Sequence, residues 1–274
     1  MPPPDLDDLP EPHDLHARLT THRPLDWGDP LPTKAEIAAE FGESRTARSL
    51  ALLTRAAEVE ERATADFAVA LPAGSVPHQL KNRMKSPHSL ARKLKLTDKH
   101  RTGRTPEDLL RYTVVVPDPD DLVDAATEVV RNLQTRGWTM DSAHHSYVDG
   151  SRYKGVHAFL RCGGELVELQ VHSQESIEVK TRTTALYEVE RDPRQPKQAR
   201  DTARAACISL SVGMREPAGL ADLAELGGVP IEVRKYGGGH VSPSARPGAG
   251  QAAHREQARP GQTPTGKSRD GIER

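Results

Sequence analysis

The chain has 274 residues, 35% hydrophobic, 4% aromatic and 28% charged, with a formal net charge of -1 at pH 7. A charge so near balance excludes a strong overall field for nucleic acid or membrane. Its two cysteines, Cys162 and Cys207, build neither a disulfide framework nor a zinc cluster, and no apolar run approaches the roughly 18 residues of a spanning helix.

The opening MPPPDLDDLP is acidic and proline-rich, without the basic and apolar regions of a secretory signal, so a cytoplasmic protein off the membrane is expected. Residues 1–31 read as an irregular arm. From Thr33 to about Phe41, and from Ser44 to about Leu71, Ala- and Glu-rich segments repeat apolar residues at helical spacing; Leu50, Leu53, Ala57 and Glu61 fall on one such stripe. After Pro72–Pro77 comes RMKSPHSLARKL (83–94). Ser86 suits an N-cap, Pro87 the first helical position, and Leu90, Ala91 and Leu94 make a narrow apolar stripe. Ser89 and Lys93 share the face beside it. Arg83 and Lys85 alternate, so in an extended lead-in both point the same way. From His78 to Arg111 ten Lys or Arg face three acids, Asp98, Glu107 and Asp108. That balance fits either a solvated basic helix or an anion site.

The character then changes. LLRYTVVVPD (109–118) reads as a strand, residues 118–137 as a capped amphipathic helix ending at Gly137, and WTMDSAHHSYVD as a further strand. YKGVHAFLRC and ELVELQVHS flank Gly163-Gly164, a hairpin signal. Helices follow over about 174–191 and 196–212, then a short Leu/Gly segment leading into GGVPIEVRKYGGG. The order predicts an α+β domain over 32–236, with one mixed, largely antiparallel sheet flanked by helices. Residues 237–274 are rich in Gly, Pro, Ala, Gln and Arg and read as a disordered tail. Within it GQTPTGKS (261–268) satisfies the phosphate-loop pattern, but no strand feeds it and no helix leaves it, so no working loop is expected.

In ELVELQVHS, Val167, Leu169 and Val171 form a core face; Leu166, Glu168, Gln170 and His172 form the other, which is either solvated or the wall of a site with Asp108. Tyr153 and His157 share a strand face, with Gly155 between them leaving room for a ligand. Holding phosphates takes cations, one or two carboxylates for Mg²⁺ and a group that orients the attacking hydroxyl.

In order, Arg83-x-Lys85, Ser89, Lys93, Asp108, Arg111, Tyr153-x-x-x-His157 and Glu168-x-Gln170 resemble the RelA/SpoT nucleotidyltransferase domain over roughly residues 45–210, nearest to its small, divergent or toxin-like members. The resemblance implies a nucleotidyltransferase-like fold and an Mg²⁺-dependent pyrophosphokinase that moves pyrophosphate from ATP to the 3′-hydroxyl of GDP or GTP, giving a (p)ppGpp-type alarmone and AMP. It implies that Asp108 and Glu168 are catalytic and share the metal. Arg83 and Arg111 would sandwich the adenine of ATP, and Lys85, Ser89 and Lys93 would hold its phosphates. Tyr153, His157 and Gln170 would meet the acceptor. Two departures stand out: Arg152 replaces the Gly usual before this tyrosine, and Arg111 follows Asp108 by only three residues. The alternatives are a toxin-like enzyme acting on adenine nucleotides or the tRNA 3′ end, for which Lys95, Lys99, Arg101 and Arg104 would supply phosphate contacts, and an inactive nucleotide- or RNA-binding module. Oligomeric state is not readable from the sequence.

Overall fold

A computed structural model describes residues 4–99 and 106–236. The phosphate-loop match, the expected disordered tail, Arg101 and Arg104 lie outside these residues. Seven helices and seven strands are described: α1 Pro12–Thr20, α2 Lys34–Phe41, α3 Glu43–Ala70, β1 Val76–Pro77, α4 Pro87–Lys99, β2 Leu110–Val116, α5 Leu122–Gln134, β3 Thr139–His145, β4 Val156–Cys162, β5 Glu165–Ser173, α6 Gln174–Arg191, α7 Lys197–Val212, β6 Glu225–Leu226 and β7 Val229–Val233. The strands form one mixed sheet in the order β1-β2-β5-β4-β3-β7-β6. β2–β5 and β3–β7 are parallel and the other pairings antiparallel. The α+β class and the largely antiparallel sheet match the sequence expectation.

Period-two alternation gives the sheet two different faces. Leu110, Tyr112, Val114 and Val116 of β2, Val156, Ala158, Leu160 and Cys162 of β4, and Val167, Leu169 and Val171 of β5 turn toward α3 and α5 and make the main core. Each fully buried aliphatic side chain there contributes about 1.5–3 kcal/mol. The intervening residues look the other way, toward α6. Register aligns them into rungs: Arg111 beside Glu168 beside Phe159, and Thr113 beside Gln170 beside His157 beside His144.

Three expectations change. The arm over 1–31 is not irregular throughout: Leu15 and Leu19, four apart, form one face of α1 and bury themselves with Leu25 in the main core. Trp27 Nε1–H donates to the Met84 carbonyl at 3.0 Å and holds the segment down. In α3 the stripe passes through Glu60, which is buried, and leaves Glu61 exposed. The segment after Gly227-Gly228 is a strand, β7, which lies parallel to β3 and carries Arg234 and Tyr236 toward the sheet's polar face.

Candidate active site

A cavity of about 540 Å³ opens on the polar face of the sheet, a size common for small-molecule sites. Its floor is Arg111, Glu168, Gln170, His157 and His144, its wall the face of α6 bearing Lys180, Thr183, Thr184, Tyr187 and Arg191, and its rim Lys93, Asp108, Arg152 and Tyr236. Sequence-predicted residues Lys93, Asp108, Arg111, Tyr153, His157, Glu168 and Gln170 are thus brought together.

Asp108 stands where the chain enters β2. Lys85 Nζ lies 3.0 Å from its Oδ2 and Lys93 Nζ 2.6 Å from its Oδ1. Burial works to raise its pKa, but the two ammonium groups outweigh burial and hold the carboxyl down at about 2. Lys93 reaches it from α4, whose stripe of Leu90, Ala91 and Leu94 is fully buried and whose Ser86 Oγ accepts from the Ser89 N–H. That orientation follows directly from the sequence pattern. Ser89 itself is half-buried and does not line the cavity.

Glu168 is buried in mid-strand. His157 Nδ1–H donates to its Oε1 at 3.0 Å and Gln170 Nε2–H at 2.9 Å. Burial raises this carboxyl, but those hydrogen bonds and Arg111 prevail and keep it below the usual glutamate range. Oε2 has no hydrogen-bond partner among the described residues. The Tyr153 hydroxyl reaches Gln170 Oε1 at 3.1 Å and His172 Nε2 at 2.6 Å. Burial holds Tyr153 well above the usual tyrosine pKa and His172 well below the usual histidine value, so both stay neutral. His144, stacked on His157 at 4.7 Å, is pushed down to about 2 by burial and by His157. The floor therefore presents one buried carboxylate beside Arg111, with the neutral side chains of Tyr153, His172 and His144 around it. His157 and Gln170, expected at the acceptor, line the cavity and also hold Glu168.

Arg83 corrects an expectation outright. It closes the turn Leu80–Asn82 in helical backbone, so it does not point alongside Lys85. Its guanidinium, 1% exposed, binds Glu60 and the carbonyls of Leu19 and Pro24 on the core side. So enclosed, the guanidinium offers no open face for a donor adenine. Gly155 corrects another. A Cβ at that position would meet His172 Cε1 at 2.3 Å, so the space beside Gly155 is filled by His172, not left for a ligand.

Missed by sequence reasoning were Lys180, Tyr187 and Arg191 on α6, and Arg234 and Tyr236 after β7. The signal for the first set was there: positions 180, 183, 184, 187 and 191 recur at helical spacing. For the second it was the alternation of Val229, Ile231 and Val233 after Gly-Gly.

The donor chemistry of the cavity fits Mg²⁺, a hard cation usually held by one or two carboxylates with phosphate and water. Asp108 and Glu168 are both held ionised there, and Glu168 Oε2 is uncommitted. Among the described residues no group of three or more His, Cys, Asp or Glu gathers as a metal cage.

No family model matches the chain, and no curated protein matches it. Solved structures do. One is small alarmone synthetase 1 from Bacillus subtilis bound to its product pppGpp, 13% identical over 60% of this chain and 90% of that one, TM-score 0.36. Small alarmone synthetase 2 from the same organism is 13% identical over 58% and 89%, TM-score 0.38. A GTP pyrophosphokinase family protein from Streptococcus pneumoniae is 15% identical over 63% and 87%, TM-score 0.35. Each is a protein whose structure this chain is similar to.

Proposed function

We propose that the chain is an Mg²⁺-dependent pyrophosphokinase, transferring the β,γ-pyrophosphate of ATP to the 3′-hydroxyl of a purine nucleotide, GDP or GTP. The observation that carries this reading is one cavity in which two ionised carboxylates, Asp108 and Glu168, face a ring of cations and tyrosines. Of its lining, Lys93, Asp108, Arg111, Tyr153, His157, Glu168 and Gln170 are residues the sequence resemblance singled out. Bound Mg²⁺ would neutralise phosphate charge and help orient the ATP phosphates.

The chain's own groups supply the rest. Asp108 and Glu168 would hold the metal. Lys85 and Lys93, converging on Asp108, bring positive charge to where the donor phosphates would lie. Glu168 Oε2 is the open acceptor for the proton of the attacking hydroxyl, while His157 and Gln170 fix the carboxylate through Oε1. The acceptor oxygen bonds to the β-phosphorus, the bond from that phosphorus to the oxygen of AMP breaks, and AMP leaves. Arg111, on the floor, takes over the part of an ATP-binding cation that buried Arg83 does not fill.

The test is an acceptor survey. The chain is incubated with γ-³²P-labelled ATP and Mg²⁺, and separately with GDP, GTP, AMP, ADP and bulk tRNA. Label on a guanine nucleotide together with AMP release supports the reading. Label on an adenine nucleotide or tRNA keeps the chemistry and changes the acceptor. Nucleotide binding without label transfer or AMP release leaves a binding module in its place.

A further inference from the structure

The cations around the cavity are bonded unequally. Lys93 is paired with Asp108, Arg152 with Glu190 and Arg234 with Glu232. Through their side chains Arg111 on β2 and Lys180 on α6 make no hydrogen bond or ion pair with any described residue, yet both line the cavity. Lys180 Nζ sits 5.5 Å from the centre of the Tyr153 ring. Burial, and then the charge of Arg111, push its ammonium down to about 8, with Glu168 pulling the other way. Two cations thus share one carboxylate, whose Oε1 is already occupied by His157 and Gln170. A desolvated ammonium so short of countercharge is costly, and a bound oxyanion would relieve it.

The neighbours on α6 do not compete for this role. Thr183 Oγ–H donates to the Val179 carbonyl at 2.9 Å and Thr184 Oγ–H to the Lys180 carbonyl at 2.9 Å, so both hydroxyl protons are spent on the helix. Tyr187 and Arg191 also line the cavity from α6, but Lys180 is the α6 cation on whose charge Arg111 and Glu168 both act.

We infer that Lys180 and Arg111 together seat a phosphate group of a bound nucleotide against Glu168, with α6 supplying a phosphate contact. The inference rests on the pyrophosphokinase reading for which nucleotides bring that phosphate. The site's chemistry, a pair of uncompensated cations beside a carboxylate, calls for a phosphate or pyrophosphate oxyanion carrying Mg²⁺.

The experiment is calorimetric titration of the full chain, wild type, Lys180→Met and Lys180→Arg, with inorganic pyrophosphate, α,β-methylene-ATP and GDP in turn, each with Mg²⁺. Melting of the ligand-free proteins is followed alongside. Lys180→Met should weaken pyrophosphate and at least one nucleotide about tenfold or more, as expected for a lost charged hydrogen bond. Lys180→Arg should stay within about threefold, and ligand-free Lys180→Met should melt no lower than wild type. The nucleotide that loses affinity tells whether the seat serves donor or acceptor. Wild-type affinities in Lys180→Met overturn the inference, as does a wild type that binds none of the probes. So does a Lys180→Met that loses melting temperature with its affinity and is not rescued by arginine. Lys180-dependent binding without any label transfer keeps the seat and sinks the pyrophosphokinase reading. Label transfer with Lys180-independent binding does the reverse.

Discussion

Arg111 and Tyr112 are neighbours in β2, and each belongs to a cluster of arginine, glutamate and tyrosine on opposite faces of one sheet. On the core side, Arg83 is paired with Glu60, and Thr64 Oγ bridges Glu60 Oε1 at 2.6 Å and the Tyr112 hydroxyl at 2.8 Å. The remaining guanidinium donors go to backbone carbonyls. On the cavity side, Arg111, Glu168, Tyr153 and Lys180 lie together with the carboxylate clamped on one oxygen only and two cations unpaired. The residue types are nearly the same, but one cluster is closed and the other is open. A closed cluster ties α1 and α3 to the sheet; an open one has donors and an acceptor left for something that is not protein.

The sharpest way to separate the two faces is Glu168→Gln. It keeps the hydrogen bonds from His157 and Gln170 within reach but removes the proton acceptor, so label transfer should fall by about 10²- to 10⁴-fold while the melting midpoint holds or rises. Arg83→Met should do the opposite. It strands Glu60 in the core and should cost about 3–5 kcal/mol in denaturant unfolding. Arg111→Met should cost far less stability than that. If Arg111→Met were as destabilising as Arg83→Met, the contrast between closed and open clusters would collapse.

Gly155→Ala sits between these. Its Cβ would drive into the His172 ring that supports Tyr153, and overpacking of this kind costs about 1–3 kcal/mol. Unfolding and nucleotide binding should worsen together. The smallest effect concerns acid. The Asp108 carboxyl is held at about 2 against an ordinary 3.8, so in the folded chain it stays ionised where the unfolded chain takes up a proton. Its contribution to stability is therefore complete above about pH 4 and is lost as pH falls toward 2. Asp108→Asn should flatten that part of the acid unfolding curve, and an unchanged curve would show that Lys85 and Lys93 do not hold the carboxylate in solution.

Much of this was legible in the chain. β5 could be read end to end because Val167, Leu169 and Val171 alternate with Glu168, Gln170 and His172. α4 could be oriented because Ser86, Pro87 and its apolar stripe leave it one way to pack. What could not be read depended on distant partners. Nothing near Arg83 announces that Glu60 and the carbonyls of Leu19 and Pro24 will surround it, and an Arg-x-Lys pair looks the same in a site or in a core. The inward face of α6 was also hidden. The spacing of Lys180, Tyr187 and Arg191 marks a stripe, but a polar stripe reads as solvent-facing until the sheet is laid beneath it. β7 was obscured by its brevity and by Pro230 within it.

Under the proposed function the open cluster transfers pyrophosphate as a unit, with Glu168 receiving the proton. The most direct test of this is the stoichiometry of one reaction: γ-³²P-labelled ATP, Mg²⁺ and the acceptor that takes label, with AMP and labelled product both quantified for wild type and Glu168→Gln. Wild type should give one AMP for each labelled product, and Glu168→Gln should lose both by about 10²- to 10⁴-fold at matched folding. Label released as free phosphate with ADP, or a Glu168→Gln protein as active as wild type, would contradict the proposed function.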